Sequence, residues 1–339
     1  MSRKINFTIV LFALLHSCVS SDKKSESEED QVSKNTNVES ALPSWNDGVT
    51  RERIIKFVEQ SIDSINPSFV AVEDRIAVFD NDGTLWAEQP YYFQLAYAID
   101  KVKKLKPDHP EWDQDPVLSA AAQGDIKGIL REGEKGLIKV IMTTHAGMTE
   151  AEFESSVTAW ADTAKHPVTG KLYVENIYKP MVELLDYLRL NNYKTYIVSG
   201  GGVSFMRAAL KEVYGIPAEQ IIGSTIKREF VDGKIIRLPE IEFIDDQEGK
   251  PINIERIIGK IPIIAFGNSD GDLAMLQYTE SGSGNRLMAY IHHTDSLREY
   301  AYDRDSHIGK FDKGLDEAIS KDWLIVDMES DWKTIYPYD

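Results

Sequence analysis

The chain has 339 residues, of which 42% are hydrophobic and 27% are charged, and this excludes a wholly disordered or fibrous protein. Its 55 acidic residues outnumber the 38 basic ones, giving a formal net charge of -17, and no run of lysines and arginines forms a basic patch. We therefore expect no nucleic-acid partner. The single cysteine excludes an intramolecular disulfide and a zinc site built from cysteines.

The first residues have the pattern of a secretion signal. Arg3 and Lys4 precede a mostly apolar stretch, 5–15, which is too short to cross a bilayer as a helix but matches the core of a signal peptide. We expect residues 1–17 to be removed as a signal peptide and the protein to be exported to the cell envelope.

The lone Cys18 follows this stretch directly, in the sequence Leu-His-Ser-Cys. This resembles a bacterial lipobox, although His16 departs from the small or apolar residue usual there. We expect Cys18 to carry a lipid that is the protein's only contact with the membrane. Ordinary cleavage between Ser17 and Ser21, leaving a soluble periplasmic protein, is the alternative.

Residues 18–44 are rich in serine, glutamate, lysine and aspartate and have few apolar positions. Such a segment cannot bury enough surface to offset its ordering entropy, so we expect a flexible tether. The folded domain is then expected to span 45–339.

Five short apolar stretches end abruptly at polar or glycine-rich turns, and helical patterns lie between them. These stretches are residues 75–79, 194–198, 261–266, 287–291 and 323–328. Apolar strands that alternate with helices predict an α/β fold of three layers, with a parallel sheet between helices. Ligands of such sheets bind beyond the carboxyl ends of the strands.

Other patterns complete the expected fold. Helices are predicted over 51–66, 181–190 and 203–214, and Asp232-Gly233 within 225–237 predicts a hairpin. The interval 87–185 is mainly helical and too long for a simple crossover, so we expect an inserted helical cap over the site.

The strongest chemical signal is the sequence Asp-Asn-Asp-Gly-Thr-Leu at 80–85, directly after the first apolar strand. Two carboxylates spaced two residues apart at a strand end can hold a divalent cation between them. One can serve as ligand and nucleophile while the other exchanges protons. Gly83 permits the tight turn that follows.

These residues resemble the first motif of haloacid dehalogenase-superfamily phosphatases, a family with a Rossmann-like core. The other three motifs follow in order at Ser199, at Lys250 and at 267–276. The resemblance spans about 72–295 and is greatest to the phosphoserine phosphatase branch. It implies that Asp80 is the nucleophile that becomes an aspartyl phosphate and that Asp82 is the general acid and base.

The resemblance also implies a magnesium ion held by Asp80, the main-chain carbonyl of Asp82, and a residue of the fourth motif. The family usually carries aspartate where this chain has Asn268. The amide oxygen of Asn268 still suits Mg²⁺ but brings no charge, so Asp272 or Asp270 could take a larger share. We expect Asn268 to be a direct ligand and Asp272 to be a direct or water-mediated one.

The substrate phosphate is expected to contact Ser199, Gly200 and Lys250. A serine and main-chain amides at a helix start suit phosphate oxygens, and a lysine supplies fixed positive charge. Lys227 and Lys234 are alternatives to Lys250 for the third motif, and a solvated lysine is the plain reading of all three.

Glu88 lies near the position where phosphoserine phosphatases carry a glutamate that meets the substrate amine, one residue short of that spacing. We expect it to contact the substrate, with an ordinary surface glutamate as the alternative. Lys139, Arg131 and His145 could contribute from the cap, although a structural role is favoured for His145. The neighbouring pair His292-His293 is not expected to bind metal, because adjacent side chains of an extended chain point apart.

The second carboxylate decides between chemistries within the family, because dehalogenases lack it and P-type ATPases have threonine there. Asp82 therefore favours a Mg²⁺-dependent phosphomonoesterase acting on a small phosphorylated metabolite. A phosphomutase or phosphotransferase is the first alternative. A lipoprotein that binds phosphorylated ligands without catalysis is the second.

Overall fold

The structure is a computed structural model that describes residues 41–210 and 212–339. The predicted signal peptide, the lipidation site at Cys18 and most of the predicted tether lie outside the described residues. Within the described ranges, no helix is both long and apolar enough to cross a membrane.

The described chain is built around a seven-stranded sheet with the order β4-β3-β2-β1-β5-β6-β7. Every neighbouring pair is parallel except β3 and β4. The strands are β1 (Ile76–Phe79), β2 (Lys194–Gly202), β3 (Ile221–Val231), β4 (Lys234–Phe243), β5 (Ile264–Gly267), β6 (Leu287–His292) and β7 (Leu324–Asp327). The predicted α/β fold with a mostly parallel sheet is confirmed.

Helices flank the sheet and fill the connections between its strands. They are α1 (Val49–Ile62), α2 (Phe93–Leu105), α3 (Pro116–Gln123), α4 (Ile126–Leu130), α5 (Glu134–His145), α6 (Glu150–Ala161), α7 (Lys179–Leu190), α8 (Val203–Ala209), α9 (Gly249–Ile257), α10 (Leu273–Glu280), α11 (Lys313–Ser320) and α12 (Met328–Asp331). Short 3₁₀ turns complete the connections.

The centre of the sheet positions the site. All four residues of β1 are buried, and its last residue, Phe79, pairs with Ile197 of β2 and Phe266 of β5. On the sheet face occupied by α9 and α10, Val78 packs in one apolar cluster with Ile254 and Met275. Because β1, β2 and β5 run in parallel, the residues that follow them emerge at one edge.

The helices α2–α6 lie between β1 and β2. They have a core of their own, in which Leu95 and Val102 of α2 pack with Val117, Ile129 and Val140 of the next helices. The hairpin of β3 and β4 turns at the predicted Asp232-Gly233, where φ is positive at both residues. Its outer strand contacts the inserted helices, because Arg237 exchanges main-chain hydrogen bonds with Gly147 and Met148.

Two helices are shorter than their sequence patterns predict. The first, predicted over 51–66, ends at Ile62 because Asp63 is extended and a proline follows at 67, which leaves Ile65 90% exposed. The helix predicted over 203–214 ends at Ala209. In both segments the apolar spacing continues past the last helical residue, although the backbone is no longer helical there.

The segment before α1 is packed onto the domain, although the sequence assigned residues 41–44 to the tether. Leu42 is 2% exposed, and the Ser44 hydroxyl donates to Glu183 at 2.6 Å. Trp45 is fully buried, its ring lies 5.9 Å from that of Trp332, and its indole N–H donates to the carbonyl of Pro180 at 2.9 Å.

Trp45→Ala is therefore expected to lower the free energy of unfolding by about 3–5 kcal/mol, because it opens a cavity between the two ends of the domain. The exposed Leu190 gives the control, and Leu190→Ala should change the free energy of unfolding by less than about 0.5 kcal/mol. Urea unfolding followed by circular dichroism measures both. A Trp45→Ala midpoint equal to that of the wild type would show that this segment adds nothing to the fold.

Candidate active site

The nucleophile candidate Asp80 begins a tight turn at the carboxyl end of β1. Its main-chain N–H donates to Phe266 of β5 at 2.9 Å, which fixes it at the edge of the sheet, and the residue is 7% exposed. Gly83 has φ of +73°, and a side chain there would place its Cβ 2.1 Å from the Asn268 amide. Only glycine lets this turn approach the loop after β5 so closely.

Lys250, in the first turn of α9, is the buried cation of the site. Its ammonium donates to Asp80 Oδ1 at 2.6 Å, Asp272 Oδ1 at 2.6 Å and the carbonyl of Val198 at 3.0 Å. Burial alone would lower the pKa of Lys250, but attraction to Asp272 and Asp80 outweighs it and holds the pKa above its usual range. The lysine therefore carries a fixed positive charge beside the nucleophile candidate.

Asp272 is occupied on both oxygens. Oδ1 accepts from Lys250, and Oδ2 accepts from the main-chain N–H groups of Asn268 and Ser269 at 2.9 and 3.0 Å. Asp270 has a different task, because its Oδ1 accepts from the N–H groups of Asp312 and Gly314 and holds the loop before α11. This geometry favours a positioning role for Asp272 and a structural one for Asp270.

Asp82 and Ser199 face each other across a main-chain turn. The Trp86 indole donates to Asp82 Oδ1 at 2.8 Å, and the Gly201 N–H donates to Ser199 Oγ at 3.2 Å. A Cβ placed on Gly201 would lie 3.5 Å from Ser199 Oγ and 3.6 Å from Asp82 Oδ2. The space that a side chain at Gly201 would fill is therefore next to both the acid–base candidate and the phosphate-binding candidate.

The carboxylates differ in how the protein sets their acidity. Burial raises the pKa of Asp82 to about 6, with the Trp86 hydrogen bond acting in the opposite direction. Burial and the charge of Asp272 raise the pKa of Asp80, against the pull of Lys250. A group with a pKa near 6 populates both protonation states close to neutral pH, as a general acid and base requires.

Asn268 and Glu88 form a buried, hydrogen-bonded pair in the same site. The amide Nδ2 of Asn268 donates to Glu88 Oε1 at 2.7 Å, and Asn268 Oδ1 accepts from the Thr84 hydroxyl at 3.3 Å. The Tyr302 hydroxyl also donates to Glu88 Oε1, at 2.7 Å. Glu88 is 2% exposed, so the surface-glutamate alternative is excluded.

One cavity of about 330 Å³ joins most of the predicted residues. Asp80, Asp82, Glu88, Ser199, Gly200, Lys250 and Asp272 all line it. Arg228 and Arg237 of the hairpin also line the cavity, beside an apolar wall that comes from α5 and the hairpin. Its residues include Leu137, Ile138, Ile141, Met142, Ile226 and Ile241.

The donor set fits a magnesium ion. Across 41–210 and 212–339, no three histidine, cysteine, aspartate or glutamate side chains are arranged to hold a metal by themselves. Magnesium, however, is commonly held by one or two carboxylates, with water and substrate phosphate completing its shell. Asp80, the Asp82 carbonyl and the Asn268 amide offer oxygen donors of that kind.

The weaker candidates fall into different places. Lys139 bonds Asp115 at 2.6 Å and, like Arg131, is exposed and outside the cavity lining. His145 lines the cavity and is 2% exposed, and its burial, together with Arg237, lowers its pKa well below the usual value. A neutral histidine at this position supports the favoured structural role.

His293 is hydrogen bonded to the turn that begins at Asp80. Its Nε2 donates to the carbonyl of Gly83 at 2.7 Å, and its ring lies 5.8 Å from that of Tyr178. The ring of Tyr178 in turn lies 5.4 Å from that of Trp332. His293 thus supports the main chain of the turn.

Sequence reasoning missed three residues that shape the site. Gln94 accepts from the Gly202 N–H at 2.8 Å and contacts His145, while Tyr302 reaches Glu88 from far along the chain. No local pattern marks either residue. Asp246 lines the cavity, and the acidic pair at 245–246 just before Lys250 was a signal that could have identified it.

Comparison with known proteins places this geometry in a family. The model of a family described as haloacid dehalogenase-like hydrolase matches residues 77–277, which is more than half of the chain. Among curated proteins, no match is found.

Solved structures resemble the chain only distantly. A conserved protein of unknown function from Anaerococcus prevotii DSM 20548 is 17% identical with a TM-score of 0.55, covering 81% of this chain and 90% of that one. A protein of unknown function from Bordetella pertussis Tohama I is 15% identical with a TM-score of 0.48, covering 75% and 98%. A phosphoserine phosphohydrolase-like protein from Francisella tularensis subsp. tularensis SCHU S4 is 17% identical with a TM-score of 0.38, covering 73% and 99%. The first of these supports the fold alone.

Proposed function

Because this chain belongs to the haloacid dehalogenase-like hydrolase family, we propose that it is a Mg²⁺-dependent phosphomonoesterase acting on a small phosphorylated metabolite. One observation carries the proposal. The carboxylate of Asp80 lies 2.6 Å from the Lys250 ammonium, in a cavity that Asp82 and Ser199 also line. Phosphoryl transfer depends on this combination of nucleophile, acid and fixed positive charge.

The proposed reaction has two steps. An Asp80 oxygen forms a bond to phosphorus while the bond from phosphorus to the ester oxygen breaks, and Asp82 gives its proton to the departing alkoxide. Asp82 then takes a proton from water as that water attacks phosphorus, which releases phosphate and restores the Asp80 carboxylate. Lys250 and the Ser199 region hold the other phosphate oxygens during both steps.

Magnesium would be held by Asp80, the Asp82 carbonyl and Asn268, with Asp272 positioning the loop. It would reduce the repulsion between the nucleophile and the anionic ester. As proposed, the protein acts in the cell envelope, exported and anchored by a lipid on Cys18, where a phosphoserine phosphatase-like site would process phosphorylated nutrients.

The apolar wall of the cavity guides the choice of substrates for a test. Ile138 and Ile141 of α5 face the same space as the nucleophile and are partly exposed to it. Burying apolar surface against them stabilises an ester with an apolar body, by about 25 cal/mol per Å². A panel should therefore include aryl and alkyl phosphates beside phosphoserine, phosphoethanolamine and sugar phosphates.

The deciding experiment is release of inorganic phosphate across this panel by the full-length protein. We expect turnover with Mg²⁺, near-complete loss with a chelator, and recovery when Mg²⁺ is restored. Activity unaffected by a chelator would contradict the metal requirement. Product appearing on an added acceptor alcohol would instead indicate a phosphotransferase, and binding without release would indicate a binding protein.

A further inference from the structure

Asn268 stands where the resemblance expects a charged aspartate, and a buried carboxylate lies directly against it. We propose that Glu88 supplies the negative charge that Asn268 does not bring to the magnesium site, and that it fixes the orientation of the Asn268 amide. This inference rests on the proposed function, since it assigns a role at the same site.

The hydrogen bonds fix the direction of the amide. Asn268 Nδ2 donates to Glu88 Oε1 at 2.7 Å, so the amide oxygen points along the other branch, towards the Thr84 hydroxyl at 3.3 Å. A free amide could turn either way, and a carboxylate beside the nitrogen removes that freedom. The oxygen that would bind Mg²⁺ is therefore held in one orientation, which is the usual task of a group behind a metal ligand.

The surrounding chain leaves room for this carboxylate and little else. A Cβ on Gly309, where φ is +66°, would lie 2.0 Å from Glu88 Oε1, and a Cβ on Gly83 would lie 2.5 Å from the same atom. The Tyr302 hydroxyl donates to it from the same loop as Gly309, the one between β6 and α11. This loop and the turn after β1 thus both approach one carboxylate oxygen.

The buried carboxylates favour a bound cation. In the described ranges Glu88 forms no ion pair with a lysine, arginine or histidine, although it is 2% exposed. Asp80, Asp82 and Asp272 line the same cavity, and Lys250 is engaged with two of them. Buried carboxylates are stable when they are paired or coordinate a metal, and a divalent ion near Asn268 would provide that balance.

The earlier expectation for Glu88, contact with a substrate amine, predicts a different result. A substrate contact would leave metal binding unchanged in the absence of substrate. A charge that belongs to the metal site affects magnesium binding before any substrate is present. Calorimetric titration of Mg²⁺ into the substrate-free protein therefore separates the two roles.

The test compares wild type, Glu88→Gln, Asn268→Asp and the double variant E88Q/N268D. We expect Glu88→Gln to raise the Kd for Mg²⁺ about 10–100-fold. The double variant moves the charge from position 88 to position 268 and should return the Kd to within about threefold of the wild type. Asn268→Asp alone sets two buried carboxylates against each other and should lower the metal-free Tm, which the double variant restores.

Asp295→Asn is the matched control, because Asp295 is also 2% exposed but lies outside the cavity lining. Its Mg²⁺ affinity should equal that of the wild type. A Glu88→Gln protein that binds Mg²⁺ like the wild type would overturn the inference, and so would a double variant as weak as Glu88→Gln. A wild type that binds no Mg²⁺ at millimolar concentration would overturn the proposed metal dependence itself.

Discussion

Asp80→Asn is expected to reduce kcat for phosphate release by a factor of about 10³ or more. The amide nitrogen or oxygen that replaces the carboxylate is a poor nucleophile for phosphorus, and the covalent step then has no substitute in the cavity. The same change should not lower the Tm of the metal-free protein, because burial and the charge of Asp272 both disfavour the ionised Asp80, and Lys250 keeps Asp272 as its partner. Steady-state phosphate release and thermal unfolding give the two readings.

Asp186 provides the control for this change. It lies on α7, its side chain is 63% exposed, and it pairs with Arg189 at 2.6 Å. Asp186→Asn should leave turnover unchanged. If Asp80→Asn kept wild-type turnover on every ester that the wild type hydrolyses, the aspartyl-phosphate route would be excluded.

Lys250→Met is expected to lower both catalysis and stability. Removing the ammonium takes away the fixed charge beside the transferring group, which should reduce kcat/KM about 10²–10³-fold. It also leaves Asp80 and Asp272 facing each other without a counter-charge, and loss of one partner of a buried ion pair costs about 3–5 kcal/mol. Urea unfolding and initial rates measure the two effects separately.

The competing lysine of the sequence interpretation serves as the matched control here. Lys227 lies on β3 with its side chain 47% exposed and pairs with Glu240 on the neighbouring strand. Lys227→Met should change neither rate nor stability by more than a small amount. If Lys227→Met abolished activity and Lys250→Met kept it, the assignment of the third motif to Lys250 would be wrong.

The centre of the sheet was predictable because β1 and β5 are buried along their whole length. A continuous apolar stretch such as 76–79, ending at aspartate, leaves few alternatives to a central parallel strand. Helix ends were less predictable, since apolar spacing says nothing about where the backbone stops. Ile65 fits the spacing of α1 and is nevertheless solvent exposed.

The candidate site was also predictable only in part. Asp80 and Lys250 were identified from local motifs, and the end of β1 and the start of α9 bring them to 2.6 Å. The surroundings of Glu88 were not predictable, because Tyr302 and Asn268 reach it from segments about two hundred residues away, with separations of 214 and 180. Such contacts depend on tertiary packing, which leaves no trace in local sequence.

The packing of Trp45 against Trp332 has a consequence for the turn after β1. The series of rings from Trp45 through Trp332 and Tyr178 ends at His293, which donates a hydrogen bond to the carbonyl of Gly83. This series of contacting rings connects the first described residues of the domain with the turn that begins at Asp80. We therefore expect a change in the packing of Trp45 to affect that turn through Trp332, Tyr178 and His293.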